Sequence, residues 1–138
     1  MIPSEAFLSH SSQDHEFISK LVNELRRHGI PLWYSKTNII GAQQWHDEIG
    51  SALRRCDWFL VVLSTNSVKS MWVKRELIFA LQQKRFENRI VPILYESCDF
   101  ESFSWVLPSF QIIDFREDFT EGCRNLLRLW GLGYQLNP

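Results

Sequence analysis

The sequence predicts an α/β protein in which an open sheet of five mainly parallel strands carries helices on both faces. Short apolar runs alternate with segments whose apolar residues recur at helical spacing, which is typical of βαβ units. The run Trp58–Leu63 is apolar at every position, as expected for a central strand that is covered on both sides. The 138 residues leave room for one domain with one core, and we expect a single domain over 1–138.

The first predicted unit is a strand, a polar loop and a helix. The strand Ala6–Leu8 stops at the polar residues 9–12. Asp14 is placed to cap the following helix, and Gly29 is placed to end it. The inner face of this helix is predicted to hold Phe17, Ile18, Leu21, Val22 and Leu25.

The second unit repeats this order. Its strand covers 30–34 and contains Pro31, which fits only near the beginning of a strand or at a sheet edge. A loop from Ser35 to Gln43 leads into a helix. Apolar spacing marks this helix at Trp45, Ile49, Ala52 and Leu53.

The C-terminal half adds the strand Trp58–Leu63, a helix from about Ser70 to Phe86 and two further strands. These strands are predicted over 90–95 and 110–115, although Pro92 argues against a regular fourth strand. A last helix is predicted over 119–130 and ends at glycine 131. Its inner face is predicted to hold Cys123, Leu126, Leu127 and Trp130.

Composition excludes several classes of function. The 15 Lys and Arg residues against 16 Asp and Glu give a net charge of -1, so nucleic acid is not expected as a partner. No apolar stretch reaches the roughly 20 residues that cross a bilayer, and the N-terminus lacks a signal-peptide pattern; we expect a cytoplasmic protein without a membrane partner. Three cysteines without a CxxC pair and four scattered histidines predict free thiols and no metal site.

A binding site is expected where the strand order reverses. In a flavodoxin-like sheet of order 2-1-3-4-5, ligands bind beyond the carboxyl ends of strands one and three. The loops 9–12, 35–43 and 64–70 would meet there, and they are rich in hydroxyl and amide side chains. For any single serine, a role in beginning a helix is the alternative.

Glu76 is the strongest candidate for chemistry. Glu76 lies about 40° and Ala80 about 80° around the predicted helix from Trp72, so the glutamate falls within the apolar sector. A carboxylate placed there is partly desolvated, which raises its pKa and is typical of a functional site. The alternative is a glutamate paired with Arg75 or Lys69 at the edge of the helix.

Two enzyme classes with a similar topology are excluded by their missing residues. A receiver domain needs acidic residues after strand one and an Asp that ends strand three, whereas this chain has Leu8-Ser9-His10 and Leu63-Ser64. A dinucleotide-binding fold of the Rossmann type needs GxGxxG after the first strand, and the six glycines form no such cluster.

Three motifs in the same order resemble those of a TIR (Toll/interleukin-1 receptor) domain, closest in type to bacterial and plant members. They are Ala6-Phe7-Leu8-Ser9-His10-Ser11-Ser12-Gln13-Asp14, then Gly29-Ile30-Pro31-Leu32-Trp33-Tyr34 with Gly41, and Ser64 with Ser70-x-Trp72-x-x-x-Glu76-Leu77. In catalytic members the glutamate of WxxxE supports cleavage of the nicotinamide–ribose bond of NAD, and Glu76 matches it. The resemblance therefore implies NAD+ as the substrate, no cofactor, and nicotinamide with ADP-ribose or a cyclic ADP-ribose as products.

One carboxylate suffices for this chemistry, whereas glycosidases usually need two. Nicotinamide is cationic in NAD and departs neutral, so no general acid is required. What remains is to stabilise the oxocarbenium-like ribose, and a carboxylate placed at a ribose hydroxyl does so by electrostatics.

The resemblance also assigns residues to the nucleotide pocket. By position these are Ser9, His10, Ser11, Tyr34, Trp45 and Trp72. For Trp72, packing in the core is the alternative to stacking on the ligand. Many members have Asp where this chain has Ser35, and the absence of that Asp is expected to reduce activity or change the product. Val73, in place of a common Cys, is expected to be neutral.

The resemblance implies self-association and a role in defence or cell-death signalling, often within a longer multidomain protein. The self-association loop is predicted at Ile39, Ile40 and Gly41, because adjacent isoleucines are unusual on a solvated loop. The alternative is that both isoleucines fold back over the domain's own core. A non-catalytic adaptor that acts through contacts between TIR domains is the competing function.

Overall fold

The computed structural model describes residues 1–35 and 42–136, with side chains in the second helix from residue 45 onward. Five strands form one parallel sheet in the order β2-β1-β3-β4-β5. The strands are β1 (Ala6–Ser9), β2 (Leu32–Tyr34), β3 (Trp58–Leu63), β4 (Ile90–Leu94) and β5 (Ile113–Asp114). The helices are α1 (His15–Arg27), α2 (Ala42–Arg55), α3 (Met71–Leu81), α4 (Phe100–Phe103) and α5 (Phe119–Arg128). The predicted fold class and strand order are confirmed.

The sheet separates two hydrophobic layers. Leu60 and Val62 of β3 pack with α1 and α5 on one face, whereas Phe59 and Val61 pack with α2 and α3 on the other. All six residues of β3 are buried, because this central strand is covered on both faces. The predicted inner residues of α1 and α5 are buried in the first layer.

Two glycines end helices as predicted. Gly29 has φ of +82°, and the amide of Ile30 donates to the carbonyl of Leu25 to close the last turn of α1. Gly131 has φ of +73°, and the amide of Leu132 donates to the carbonyl of Leu127 in the same way. The left-handed backbone at Gly29 returns the chain to the sheet after α1. The same conformation at Gly131 ends the last helical segment.

The third helix is shorter than predicted. It ends at Leu81, and residues 84–86 form a separate 3-10 turn. Phe86 is fully buried, with its ring centroid 5.9 Å from that of Phe59 on β3. The chain therefore leaves the helix in order to bring Phe86 into the core.

The outer strands also differ from their predicted lengths. β2 begins at Leu32, after Pro31. β5 has only two residues, and Phe110, predicted to begin this strand, instead closes the 3-10 turn 107–109 by donating its amide to the carbonyl of Leu107. β4 is regular despite Pro92, since β5 pairs only with Ile93 and Leu94 beyond it. Over the described ranges, no helix is long and apolar enough to cross a membrane.

Candidate active site

The carboxyl ends of β1 and β3 lie side by side, with Ser9 in register with Val61. Alternation along β1 sends Leu8 into the layer of α1 and Ser9 toward the layer of α3. α3 begins there because the Ser70 side chain caps it, with the hydroxyl accepting from the amide of Val73 at 3.2 Å. The strand end and the first two turns of α3 thus form one wall of the site.

Glu76 is buried against the end of β1. The Ser9 hydroxyl donates to Oε1 of Glu76 at 2.6 Å, across 67 positions of sequence. The side chain is 8% exposed, as its position in the apolar sector predicted. The alternative of an edge ion pair with Arg75 or Lys69 is wrong, because neither residue pairs with Glu76 in the structure.

Burial raises the pKa of Glu76 to about 7, because the anion has lost its hydration. The Ser9 hydroxyl acts in the opposite direction, since it donates to the ionised carboxylate. Glu76 therefore titrates in the neutral pH range, where a change in its surroundings alters its charge.

A pair of tryptophans stands at the start of α3. Trp72 lies one turn before Glu76 and is 42% exposed, and its ring meets that of Trp45 edge to face at 4.3 Å. The indole Nε1–H of Trp45 donates to the Ser35 hydroxyl at 3.0 Å, which ties the start of α2 to the end of β2. The serine found in place of the expected Asp thus serves as the acceptor that holds Trp45.

His10 and Tyr34 lie at the face of the sheet that α1 covers, whereas α3, which carries Glu76, covers the opposite face. Tyr34 packs against the layer of α1, and the His10 ring lies 6.1 Å from it. The His10 Nδ1–H donates to the carbonyl of Leu8 at 3.3 Å, and burial lowers the pKa of the imidazole. Burial therefore favours the neutral imidazole. Of the six predicted pocket residues, His10 lies beside Tyr34, and Trp45 is in contact with Trp72.

Ser11 has a local role in its turn. Its hydroxyl accepts from the amide of Gln13 at 3.2 Å and caps the 3-10 turn 12–14. This is the serine role that the sequence offered as the alternative to ligand binding.

A second polar group at the same edge, the Asp14 cluster, consists of Asp14, Ser64, Asn66 and Ser67. Ser64 Oγ donates to Asp14 Oδ2 at 2.5 Å, and Asn66 Nδ2 donates to Oδ1 at 2.8 Å. The Ser64 and Ser67 side chains each accept from the other's amide. Asp14 occupies the N-cap position of α1, as predicted, but its carboxylate makes no capping bond to the helix and instead joins the loops after β1 and β3.

Sequence analysis predicted that the loops after β1 and β3 meet, but it missed the bonds of Asp14 to Ser64 and Asn66, which span about 50 positions. The signal was topological: neighbouring parallel strands bring the loops after β1 and β3 together. Ile39, Ile40 and Gly41, predicted for self-association, lie outside the described residues. Within the described part of the chain, no three His, Cys, Asp or Glu side chains are grouped to hold a metal ion.

Comparison with known proteins agrees with these motifs. A family model described as "TIR domain" matches residues 6–127. The chain belongs to the TIR domain family. The match runs from the first residue of β1 into α5, so it includes both Ser9 and Glu76.

Two curated relatives of this TIR domain carry enzyme names. One is the "Probable 2′ cyclic ADP-D-ribose synthase" of Methanobrevibacter olleyae, 27% identical over 75% of this chain and 31% of the relative. The other is an "NAD(+) hydrolase" of Escherichia coli O6:H1, 29% identical over 63% of this chain and 29% of the relative. The chain thus spans about a third of the length of these relatives.

Solved structures share the fold of this TIR domain at low identity. The TIR domain of a Toll-related receptor from Hydra magnipapillata has a TM-score of 0.74 and 22% identity, covering 92% of this chain and 98% of its own. The TIR domains of the activated Roq1 resistosome have a TM-score of 0.68 and 18% identity, covering 91% and 98%. These likenesses show the flavodoxin-like TIR fold.

Proposed function

We propose that this TIR domain cleaves the nicotinamide–ribose bond of NAD+ and that Glu76 is its catalytic carboxylate. The observation that carries the proposal is the Glu76 side chain, which is buried at the reversal of the strand order with one oxygen bonded to Ser9. The name of the Escherichia coli relative supports NAD+ as the substrate, and that of the Methanobrevibacter relative supports a cyclic ADP-ribose as a product. No cofactor is needed for this reaction.

The chemistry follows from the charges. Nicotinamide leaves with the electron pair of the bond to ribose C1′ and departs neutral. Positive charge develops on the ribose. The ionised Glu76 accepts a hydrogen bond from a ribose hydroxyl and stabilises this charge by electrostatics. Attack by water gives ADP-ribose and releases one proton; attack by a hydroxyl of the same molecule gives a cyclic ADP-ribose and also releases one proton.

The tryptophan pair, Trp45 and Trp72, supplies further contacts to the substrate in this proposal. Trp72 stands one turn from Glu76 and is partly exposed, and Trp45 is fixed against it by Ser35, so we propose that nicotinamide stacks on this pair. His10 and Tyr34 face the α1 side of the edge, where we propose that a more distant part of the dinucleotide lies. Ser11 is engaged in its turn and is proposed only to shape the loop.

The test compares Glu76→Gln with Glu48→Gln, an exposed glutamate of α2, in nicotinamide release from NAD+ at pH 8. We expect release to fall by about 10²- to 10³-fold in Glu76→Gln, by analogy with loss of one electrostatic stabiliser, and to stay near the unmodified rate in Glu48→Gln. Chromatography identifies linear and cyclic products. Equal release by Glu76→Gln and the unmodified protein would refute the assignment.

We also propose that the active form is a self-associated TIR assembly in the cytoplasm, in defence or cell-death signalling. The likeness to TIR domains of an activated resistosome supports assembly. Substituting Ile39 and Ile40 by Asp is expected to abolish both oligomers in light scattering and NAD+ turnover, with the circular dichroism spectrum unchanged. Turnover by a monomeric double variant would contradict the requirement for assembly.

A further inference from the structure

The hydrogen bond between Ser9 and Glu76 distinguishes the two oxygens of the carboxylate. Oε1 accepts from the Ser9 hydroxyl at 2.6 Å. No described residue donates to Oε2, and this atom is not among the fully buried polar atoms that lack a partner, so it retains contact with solvent. One oxygen is thus occupied by the protein and the other is open.

Ser9 is itself held firmly. It is the last residue of β1, 1% exposed, and its backbone is in register with Val61 on β3. A hydroxyl on a buried strand loses little conformational entropy when it donates a hydrogen bond. Since the hydroxyl is committed to Glu76 and buried, it is poorly placed to contact a ligand.

We propose that Ser9 is a positioning residue for Glu76: its hydroxyl binds Oε1, fixes the carboxylate with Oε2 toward the substrate, and favours the anion. The catalytic consequence of this inference rests on the proposed function, whereas the hydrogen bond between Ser9 and Glu76 is independent of it. It also changes the role of Ser9, which acts through Glu76 and not on the dinucleotide.

Among the described residues, no ionisable side chain is bonded to Glu76 in place of this hydroxyl. The described charged or titratable side chains on the surrounding elements comprise His10 and Asp14 after β1, five residues of α2, and the basic residues of α3 and its flanking turns. Those of α2 are His46, Asp47, Glu48, Arg54 and Arg55, and the basic residues are Lys69, Lys74, Arg75, Lys84 and Arg85. The Arg75 guanidinium lies over the Trp72 ring, and that of Arg85 donates to the carbonyls of Leu53 and Cys56. Burial and the Ser9 hydroxyl are the causes that set the pKa of Glu76.

The first test is a direct titration. Carboxyl ¹³C NMR of glutamate-labelled protein follows Glu76, and its resonance is assigned by its loss in Glu76→Gln. We expect a midpoint near pH 7 in the unmodified protein and an upward shift of about one pH unit in Ser9→Ala. Ser9→Thr keeps the hydroxyl and should keep the midpoint of the unmodified protein. Ser9→Cys, with a weaker donor of similar size, should have a midpoint between those of the unmodified protein and Ser9→Ala. An unchanged midpoint in both Ser9→Ala and Ser9→Cys would overturn the proposal.

The second test is the pH profile of nicotinamide release. In Ser9→Ala the rise of kcat with pH should move upward by the same amount as the NMR midpoint, with KM changed less than about twofold. A higher KM with an unmoved profile would mean that Ser9 contacts the dinucleotide, which overturns the positioning role. If Glu76→Gln retained full release, the proposed function would fail, whereas the titration would still decide whether Ser9 controls Glu76.

Discussion

Asp14 and Glu76 are both buried carboxylates at the carboxyl edge of the sheet, and they differ in how their oxygens are satisfied. Both oxygens of Asp14 accept hydrogen bonds, from Ser64 and Asn66. Glu76 receives one donor, from Ser9, and keeps Oε2 open. A fully bonded carboxylate strengthens the fold, whereas an incompletely bonded one is costly to bury and is available for chemistry.

The largest effect on stability is expected from Glu76→Gln. The pKa of this group is about 7 in the folded protein and 4.5 for a freely solvated glutamate, so between these pH values the folded protein keeps a proton that the unfolded chain has lost. The stability of the unmodified protein therefore falls as pH rises through this window. Gln does not titrate, and we expect the free energy of unfolding at pH 8 to increase by about 3 kcal/mol.

Urea unfolding at pH 4, 6 and 8 checks this prediction, with Glu48→Gln as the control at an exposed position. The gain should be small at pH 4, where both the folded and the unfolded protein carry a protonated Glu76, and should grow toward pH 8. A gain that is the same at all three pH values would show that ionisation of Glu76 is not its source.

The opposite effect, of somewhat smaller size, is expected at Asp14. Asp14→Ala removes the acceptor of the Ser64 hydroxyl and the Asn66 amide, and the free energy of unfolding should fall by about 2 kcal/mol. The double variant Asp14→Ala/Asn66→Ala should lose less free energy of unfolding than the sum of the two single variants, because it no longer contains the Asn66 amide that Asp14→Ala leaves without an acceptor. Urea unfolding of the three variants measures this coupling.

The comparison would fail if Asp14→Ala reduced nicotinamide release per folded molecule as strongly as Glu76→Gln does. The two carboxylates would then share one role in the site. We expect the two properties to separate, with Glu76→Gln more stable and inactive and Asp14→Ala less stable and still able to release nicotinamide.

Local periodicity was enough to predict that Glu76 is buried. Its position relative to Trp72 depends only on the helical repeat, and the buried run Trp58–Leu63 indicates a central strand without knowledge of its neighbours. The helix ends at Gly29 and Gly131 were predictable for the same reason, because a left-handed residue after a helix is a local requirement.

The partners of these residues were not predictable from local pattern. Ser9 lies 67 positions from Glu76, and Asp14 lies 50 from Ser64, so only the completed sheet brings them together. Asp14 precedes a helix and was therefore interpreted as its cap, although tertiary donors take its carboxylate. The end of α3 was missed because burial of Phe86 outweighs a helical pattern that continues past Leu81.

The smallest effect is expected at Ser35, where the acceptor is a neutral hydroxyl. Ser35→Ala removes the partner of the Trp45 indole N–H, which costs about 1 kcal/mol and should speed exchange of that hydrogen roughly fivefold. Ser35→Asp keeps an acceptor and should keep the protection. The indole region of a ¹H–¹⁵N NMR spectrum follows this signal, with Trp45→Phe as its assignment. Unchanged exchange in Ser35→Ala would show that contact with Trp72, and not the hydrogen bond to Ser35, holds Trp45 in place.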